Sequence, residues 1–222
     1  MQFSYFILLV NESSAYENQH QKTLHINQET AMNQGYSEDE TFRKVDFNKT
    51  PLTRGEYEGC SFVDCDFSNS SLFNFSFTDC EFLGCNLSLA KLDGTAFRDS
   101  IFKDCKLLGL RFDTCNDFGI GFSFDNCNLN HASFYKLKIK KTHFIDSQLQ
   151  EVDFVDCDLT SAIFTNCDLN GATFNNTIIE KADFRSSINY TIDPELNRIK
   201  KAKFSLAGIS GLLTKYDIQI NN

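Results

Sequence analysis

The chain of 222 residues has no tryptophan, only two prolines and eleven glycines, and no long apolar run. So few prolines and glycines argue against a multidomain chain strung on flexible linkers. Its most apolar stretch, residues 3–10 (FSYFILLV), is too short to cross a membrane and lacks the basic flank and small-residue cleavage site of a signal peptide. No membrane partner is therefore expected. Histidine is scarce, and His20, His25, His131 and His143 stand apart without metal-ligand spacing. There is no phosphate-binding glycine loop, dinucleotide fingerprint or GxSxG elbow. These absences predict a protein that is not an enzyme and takes no cofactor, metal or substrate.

What the sequence does contain is a period of five. From Phe47 to Phe112, and again from Phe124 to Phe184, a large apolar residue returns every fifth position; of the 27 centres fifteen are Phe and nine are Leu. Five matches neither the 3.6 of a helix nor the 2 of a flat strand, so the chain must turn a corner in every repeat. Two residues before most centres (i−2) the side chain is small or compact, as at Cys60, Ser70, Cys80, Ala90 and Thr95, and both positions can point inward from an extended segment. Two residues after each centre (i+2), sixteen of 27 positions are Asp, Asn or Gly, which tolerate a left-handed corner.

Eight of the nine cysteines fall at i−2, Cys115 lies in the break after Phe112, and no CxxC pair occurs. The C-x4-C spacing of Cys60/Cys65 and Cys80/Cys85 is a product of the repeat, so these thiols read as small buried side chains instead of a metal or disulfide framework. Reduced thiols in turn suit a cytoplasmic protein.

With Cys-Asn-Leu-Ser-Leu at 85–89 and Cys-Asp-Leu-Thr-Ser at 157–161, residues 42–186 resemble the pentapeptide-repeat family and its A(D/N)Lxx motif. The resemblance implies an all-β, right-handed, quadrilateral β-helix with four repeats per coil, a solenoid of about seven coils and roughly 33 Å at about 4.8 Å per coil. Cysteines 20 residues apart, at 60 and 80 and at 65, 85 and 105, agree with a 20-residue coil. Each coil of a solenoid touches only its neighbours, so the ends need caps.

Three segments depart from the repeat. Residues 1–41 read as a poorly ordered N-terminal segment, with Met32 a possible true start. Between Phe112 and Phe124 twelve residues occupy the room of ten; taking Phe118 as the intervening centre places two one-residue bulges there, permitted by Gly119 and Gly121. After Phe184 the pattern stops, and 187–222 read as a C-terminal cap. Within it Ser205 looks like the N-cap of a helix to about Tyr216, on which Leu206, Ile209, Leu213 and Tyr216 recur at helical spacing beside Leu212, followed by a short strand at 217–220. Together with Phe204 these residues are the candidate cap and dimer element. The run 192–220 is similar to the tail of the quinolone-resistance and microcin-immunity pentapeptide subgroup, which implies a homodimer joined tail to tail.

Charge is the remaining signal. Residues 42–141 carry thirteen acids and thirteen bases, whereas 142–184 carry Asp146, Glu151, Asp153, Asp156, Asp158, Asp168, Glu180 and Asp183 against Lys181. A lysine band, Lys136, Lys138, Lys140 and Lys141, precedes them. An acidic rod repels DNA, so no direct nucleic-acid partner is expected. The eight acids are instead the candidate surface for a protein partner. The resemblance implies that this partner is a type II topoisomerase, DNA gyrase or topoisomerase IV, protected by a rod that mimics DNA. The alternative is a scaffold that binds another protein through its flat faces, where Phe73, Tyr135, Ile145 and Val155 could form an apolar patch.

Overall fold

The computed structural model describes residues 35–220. The N-terminal apolar run and Met32 lie outside the described residues. Short strands are stacked in parallel at a 20-residue offset: β1 (Gly35–Glu38), β3 (Gly55–Glu58), β5 (Ser76–Thr78) and β7 (Ala96–Arg98) form one four-stranded sheet. β2 (Thr41–Arg43), β4 (Ser61–Val63), β6 (Glu81–Leu83), β8 (Ser100–Lys103), β9 (Phe122–Asp125), β10 (His143–Ile145) and β11 (Ile163–Thr165) form a seven-stranded one. The register is in phase throughout, with Phe42 on Phe62, Phe62 on Phe82 and Phe82 on Phe102. The remaining two sides are held by single parallel bridges such as Asp66 with Asn86 and Ser133 with Asp153. The result is an all-β parallel solenoid of about seven turns with four faces.

We number the faces by their centres. Face I carries Tyr57, Phe77 and Phe97, then Ile139, Leu159, Ile179 and Ile199; face II carries Phe42 through Phe204; face III runs from Phe47 through Leu169; face IV runs from Leu52 through Phe174. On face II one ring per coil stacks on the next, with centroids 4.9 Å apart at Phe42 and Phe62, 4.8 Å at Phe82 and Phe102, and 4.6 Å at Phe164 and Phe184. Rings on neighbouring faces meet edge to face, as at Phe62 and Phe77. Both geometries are favoured for aromatic pairs, so one Phe can serve two faces of a narrow core.

The corners are left-handed. Asp64, Asn69, Asn74 and Asp79 have φ between +52° and +58°, and the same backbone is imposed on Leu89, Lys136, Lys141 and Glu151. At i−2 the side chains do more than fill space. The carbonyl of a core residue one coil earlier accepts a bond from Cys85 Sγ (Phe62, 3.2 Å), Thr95 Oγ1 (Leu72, 2.6 Å), Thr177 Oγ1 (Phe154, 2.8 Å) and Ser187 Oγ (Phe164, 2.8 Å). Cysteine here acts as a small side chain with a weak donor, interchangeable with Ser and Thr. The nine cysteines are free, and eight are buried.

Several expectations are corrected. Among the described residues a strand already occupies Gly35–Glu38, within the segment expected to be poorly ordered. Phe118 is not a core centre: it is 79% exposed, while Phe122 is buried with its ring 5.2 Å from both Phe112 and Phe124. Phe122 sits two residues before Phe124, where other coils hold a small side chain, and it fills the space of the missing face I centre. The extra residues form a 3-10 turn at Phe112–Thr114 and a loop tied back by Asn116 N–H to Thr95 O and Gly121 N–H to Phe97 O.

The pattern also does not stop at Phe184. After a passage filled by Tyr190 and Ile192, it returns in phase at Ile199 and Phe204, through bridges from Ile178 to Arg198 and from Asp183 to Lys203. The cap is not an α-helix; it consists of 3-10 turns at Ile209–Leu212 and Thr214–Tyr216, and 217–220 form no strand. Glycine weakens a helix at Gly208 and Gly211, and a Cβ at either would collide with Tyr190. Among the described residues no helix is long and apolar enough to cross a membrane.

Candidate functional surfaces

The interior offers no chemistry. Its inward positions are closed by Phe, Leu, Cys and Ala. Burial pushes the thiols of Cys80 and Cys167 up to about 12, and burial moves Cys60, Cys65, Cys115 and Cys157 in the same direction, away from the reactive thiolate. Among the described residues no group of His, Cys, Asp and Glu is placed to hold a metal ion.

The eight acids of 142–184 are divided evenly around the rod. Asp158 and Glu180 lie on face I, Asp146 and Asp183 on face II, Glu151 and Asp168 on face III, and Asp153 and Asp156 on face IV. Seven of them carry a role in the backbone. Asp153, Asp158, Asp168 and Asp183 precede a centre and accept the N–H of the residue after it, at 2.9, 3.1, 3.2 and 3.2 Å. Asp146, Glu151 and Asp156 occupy left-handed corners. The eighth, Glu180, accepts Arg198 Nη2 at 2.8 Å.

Several are also neutralised by neighbours. Asp158 faces Lys140 at 3.1 Å, and Asp183 faces Arg185 at 2.7 Å and Lys203 at 3.4 Å. The Arg185 guanidinium, opposed by partial burial and aided by Lys203, holds the Asp183 carboxyl down to about 2. Bonds from Thr160 and Lys140 outweigh the burial that would raise Asp158, which also titrates low.

The apolar candidates separate too. Tyr135 and Val155 are successive on face IV, Phe73 lies beyond Asp93 and Asp113 on that face, and Ile145 is on face II. Of the cap residues, Leu212 is buried, Phe204 is half-buried and stacked 5.5 Å from Phe184, and Leu213 is half-buried, whereas Ile209, Tyr216 and above all Leu206, 88% exposed, face outward. The cap is clamped by Lys215 Nζ, 2.8 Å from Asp193 and 2.6 Å from Glu195, and by Ile192 N–H to Gly211 O. Beside it a cleft of about 670 Å³ is lined by Arg185, Tyr190, Ser205, Ser210 and Thr214, with the buried Tyr190 hydroxyl left without a hydrogen-bond partner.

A surface built of five-residue steps on a filled four-sided core defines the class of pentapeptide solenoids. The chain belongs to the pentapeptide-repeat family: residues 121–191 match a pentapeptide repeat region, and 58–104 and 80–116 match pentapeptide repeats. No curated protein matches the chain. Among solved structures, trypsin-treated QnrB1, a plasmid-mediated fluoroquinolone resistance protein, is 20% identical and aligns over 85% of this chain and 92% of that one with a TM-score of 0.55. HetL from the cyanobacterium Nostoc, involved in heterocyst differentiation regulation, is 14% identical over 82% of this chain and 93% of that one, with a TM-score of 0.31. The QnrB1 likeness is one of fold.

Proposed function

We propose that this chain is a non-catalytic, protein-binding solenoid that engages its partner through its side faces. The observation that carries this reading is the division of labour in the repeat: inward positions are filled by apolar side chains, and variable charged and apolar residues stand outside on a rigid frame. A rod of this kind recognises by presenting side chains at fixed spacing, with little ordering cost on binding. The experiment is capture of partners from the native extract with the wild type and with variants altered on one face at a time. A partner retained by the wild type and lost from one face variant is expected; equal capture by variants of all four faces overturns the reading.

A second reading makes that partner DNA gyrase or topoisomerase IV, with the rod standing in for DNA. It is favoured by the overall charge of −9 and by the fold shared with QnrB1. A gyrase supercoiling assay with and without a quinolone tests it. Protection that fades as salt rises supports it, and absence of both protection and inhibition across the titration removes it while leaving the protein-binding reading in place.

A further inference from the structure

Stacking at a 20-residue offset assembles on face I a surface that linear counting hides. Four rows precede the loop that carries Phe118. Around their centres and at the corners that follow stand Glu38 and Asp39, then Glu56 and Glu58, then Asp79, then Asp99, against a single base, Arg98. Four rows follow the loop. They bear Lys138, Lys140 and Lys141, then Lys181, then Arg198, Lys200 and Lys201, against two acids, Asp158 and Glu180. One half of the face thus carries a net −5 and the other a net +5. On each of the other three faces, either half comes within three charges of zero. Among the described residues none of the six acids of the first half is in an ion pair, and in the second half only Lys140, with Asp158, and Arg198, with Glu180, are paired.

The boundary is also marked. Phe118, 79% exposed, projects from the loop midway between the two halves, its N–H fixed by Asn116 Oδ1 at 3.0 Å. An exposed Phe between an acidic and a basic field is the centre of a self-complementary pattern. A two-fold axis there sends the acidic half onto the basic half of a second copy and one Phe118 onto the other.

We propose that face I is a docking surface for a second copy of this chain, packed antiparallel and side by side, with the two-fold axis at Phe118. The rows then match from the ends inward. Glu38 and Asp39 meet the row of Arg198, Lys200 and Lys201; Glu56 and Glu58 meet the row of Lys181, whose Glu180 is paired with Arg198; the row of Arg98 and Asp99 meets that of Lys138 and Lys141. The row of Asp79 meets that of Asp158, whose charge Lys140 already offsets. A parallel arrangement would set like charges against each other along the whole face, so the pattern selects one orientation. Eight spacings of about 4.8 Å make the face roughly 40 Å long, and at a width of roughly 15 Å each copy contributes about 600 Å², the low end for a specific interface and hence a salt-sensitive one. This surface is distinct from the C-terminal cap, and it leaves faces II, III and IV open to another partner.

Sedimentation velocity on the full chain tests the proposal. At ~50 mM salt a dimer is expected, with association at least about tenfold weaker at ~500 mM. Glu38→Lys/Asp39→Lys and Lys200→Glu/Lys201→Glu should each be monomeric, since each sets like charges opposite one another. An equimolar mixture of the two should dimerise again, because the reversed first row of one copy then meets the reversed last row of the other. All four positions are exposed, so the fold should tolerate the reversals.

Phe118→Cys gives an independent readout: it should cross-link to itself under mild oxidation, whereas Asn130→Cys on face III should not. A wild type that stays monomeric to ~100 µM at low salt overturns the proposal. So does a mixture of reversed variants that fails to associate, or a dimer indifferent to salt and lost on Leu206→Asp, which would be a cap dimer.

Discussion

The half of the solenoid before the Phe118 loop and the half after it share every inward rule and few outward ones. Both place a large apolar centre every fifth residue and, in most repeats, a small side chain at i−2, and the Phe column of face II passes through both, with centroids 5.4 Å apart where Phe102 meets Phe124 across the junction. Yet on face I the centres change from Tyr57, Phe77 and Phe97 to Ile139, Leu159 and Ile179, and the four-stranded sheet gives way to single bridges. The corners change as well: Asp, Asn and Gly predominate in the first half, whereas His131, Lys136, Lys141, Glu151 and Lys181 hold left-handed backbone in the second. What stays constant is what a coil needs to stack. What varies faces solvent, and on face I the two halves carry opposite charge.

The largest expected effect lies where the halves join. Phe112 is buried, its ring stacked 4.8 Å from Phe134 and 5.2 Å from Phe122, so it links the last coil of the first half to the first coil of the second. Phe112→Ala should cost about 3–5 kcal/mol by removing a large buried ring. In a solenoid where each coil contacts only its neighbours, it should also uncouple the halves. Urea unfolding followed by far-UV circular dichroism should then show two steps in place of one; a single, merely shifted transition would mean that the halves are coupled elsewhere.

The corners provide a smaller contrast between the halves. Gly84 adopts φ +65°, and a Cβ there would come within 2.5 Å of Asp64 Oδ1, so Gly84→Ala should cost about 1–2 kcal/mol in the first half. In the second half the sign should reverse. Lys141 holds φ +60° without glycine's freedom, and Lys141→Gly should slightly raise the melting temperature measured by calorimetry. A fall with Lys141→Gly would show that its charge or side-chain packing outweighs the backbone strain.

The extent to which this architecture is readable in the sequence follows the same division. The period, the inward pairs and the left-handed corners are local rules repeated in every coil, so a single strand of sequence displays them. The cysteines show where local reading falls short. Size alone marks them as fillers, but the carbonyl that Cys157 Sγ meets at 2.8 Å belongs to Phe134, one coil earlier, and only the stacked structure supplies it. Thr and Ser at the same position were the available clue. The spacing points to Phe118 as the inward ring whereas Phe122 is the buried one, because hydrophobicity does not say which of two phenylalanines an insertion turns inward. The acidic segment is contiguous in sequence and dispersed in space, since consecutive repeats lie on different faces; the bipolar surface of face I is its converse, assembled from residues 20 apart.

Asp183 brings that lesson to a measurable point, because it belongs to the acidic segment and yet serves the coil. It accepts the N–H of Arg185 at 3.2 Å and pairs with the Arg185 guanidinium and Lys203 Nζ, and these contacts hold its carboxyl at about 2, below its ordinary 3.8. A carboxyl depressed in the folded state stabilises the fold above its unfolded value, and the contribution is lost as pH falls through the window from 3.8 to about 2. Asp183→Asn should therefore be less stable than the wild type at neutral pH by a modest amount, and the difference should close on acidification through that window. Paired urea titrations at pH 7 and at successive lower values measure it. A gap independent of pH would assign the loss to geometry, whereas a gap that closes would show that a charge counted toward a binding surface stabilises the coil that carries it.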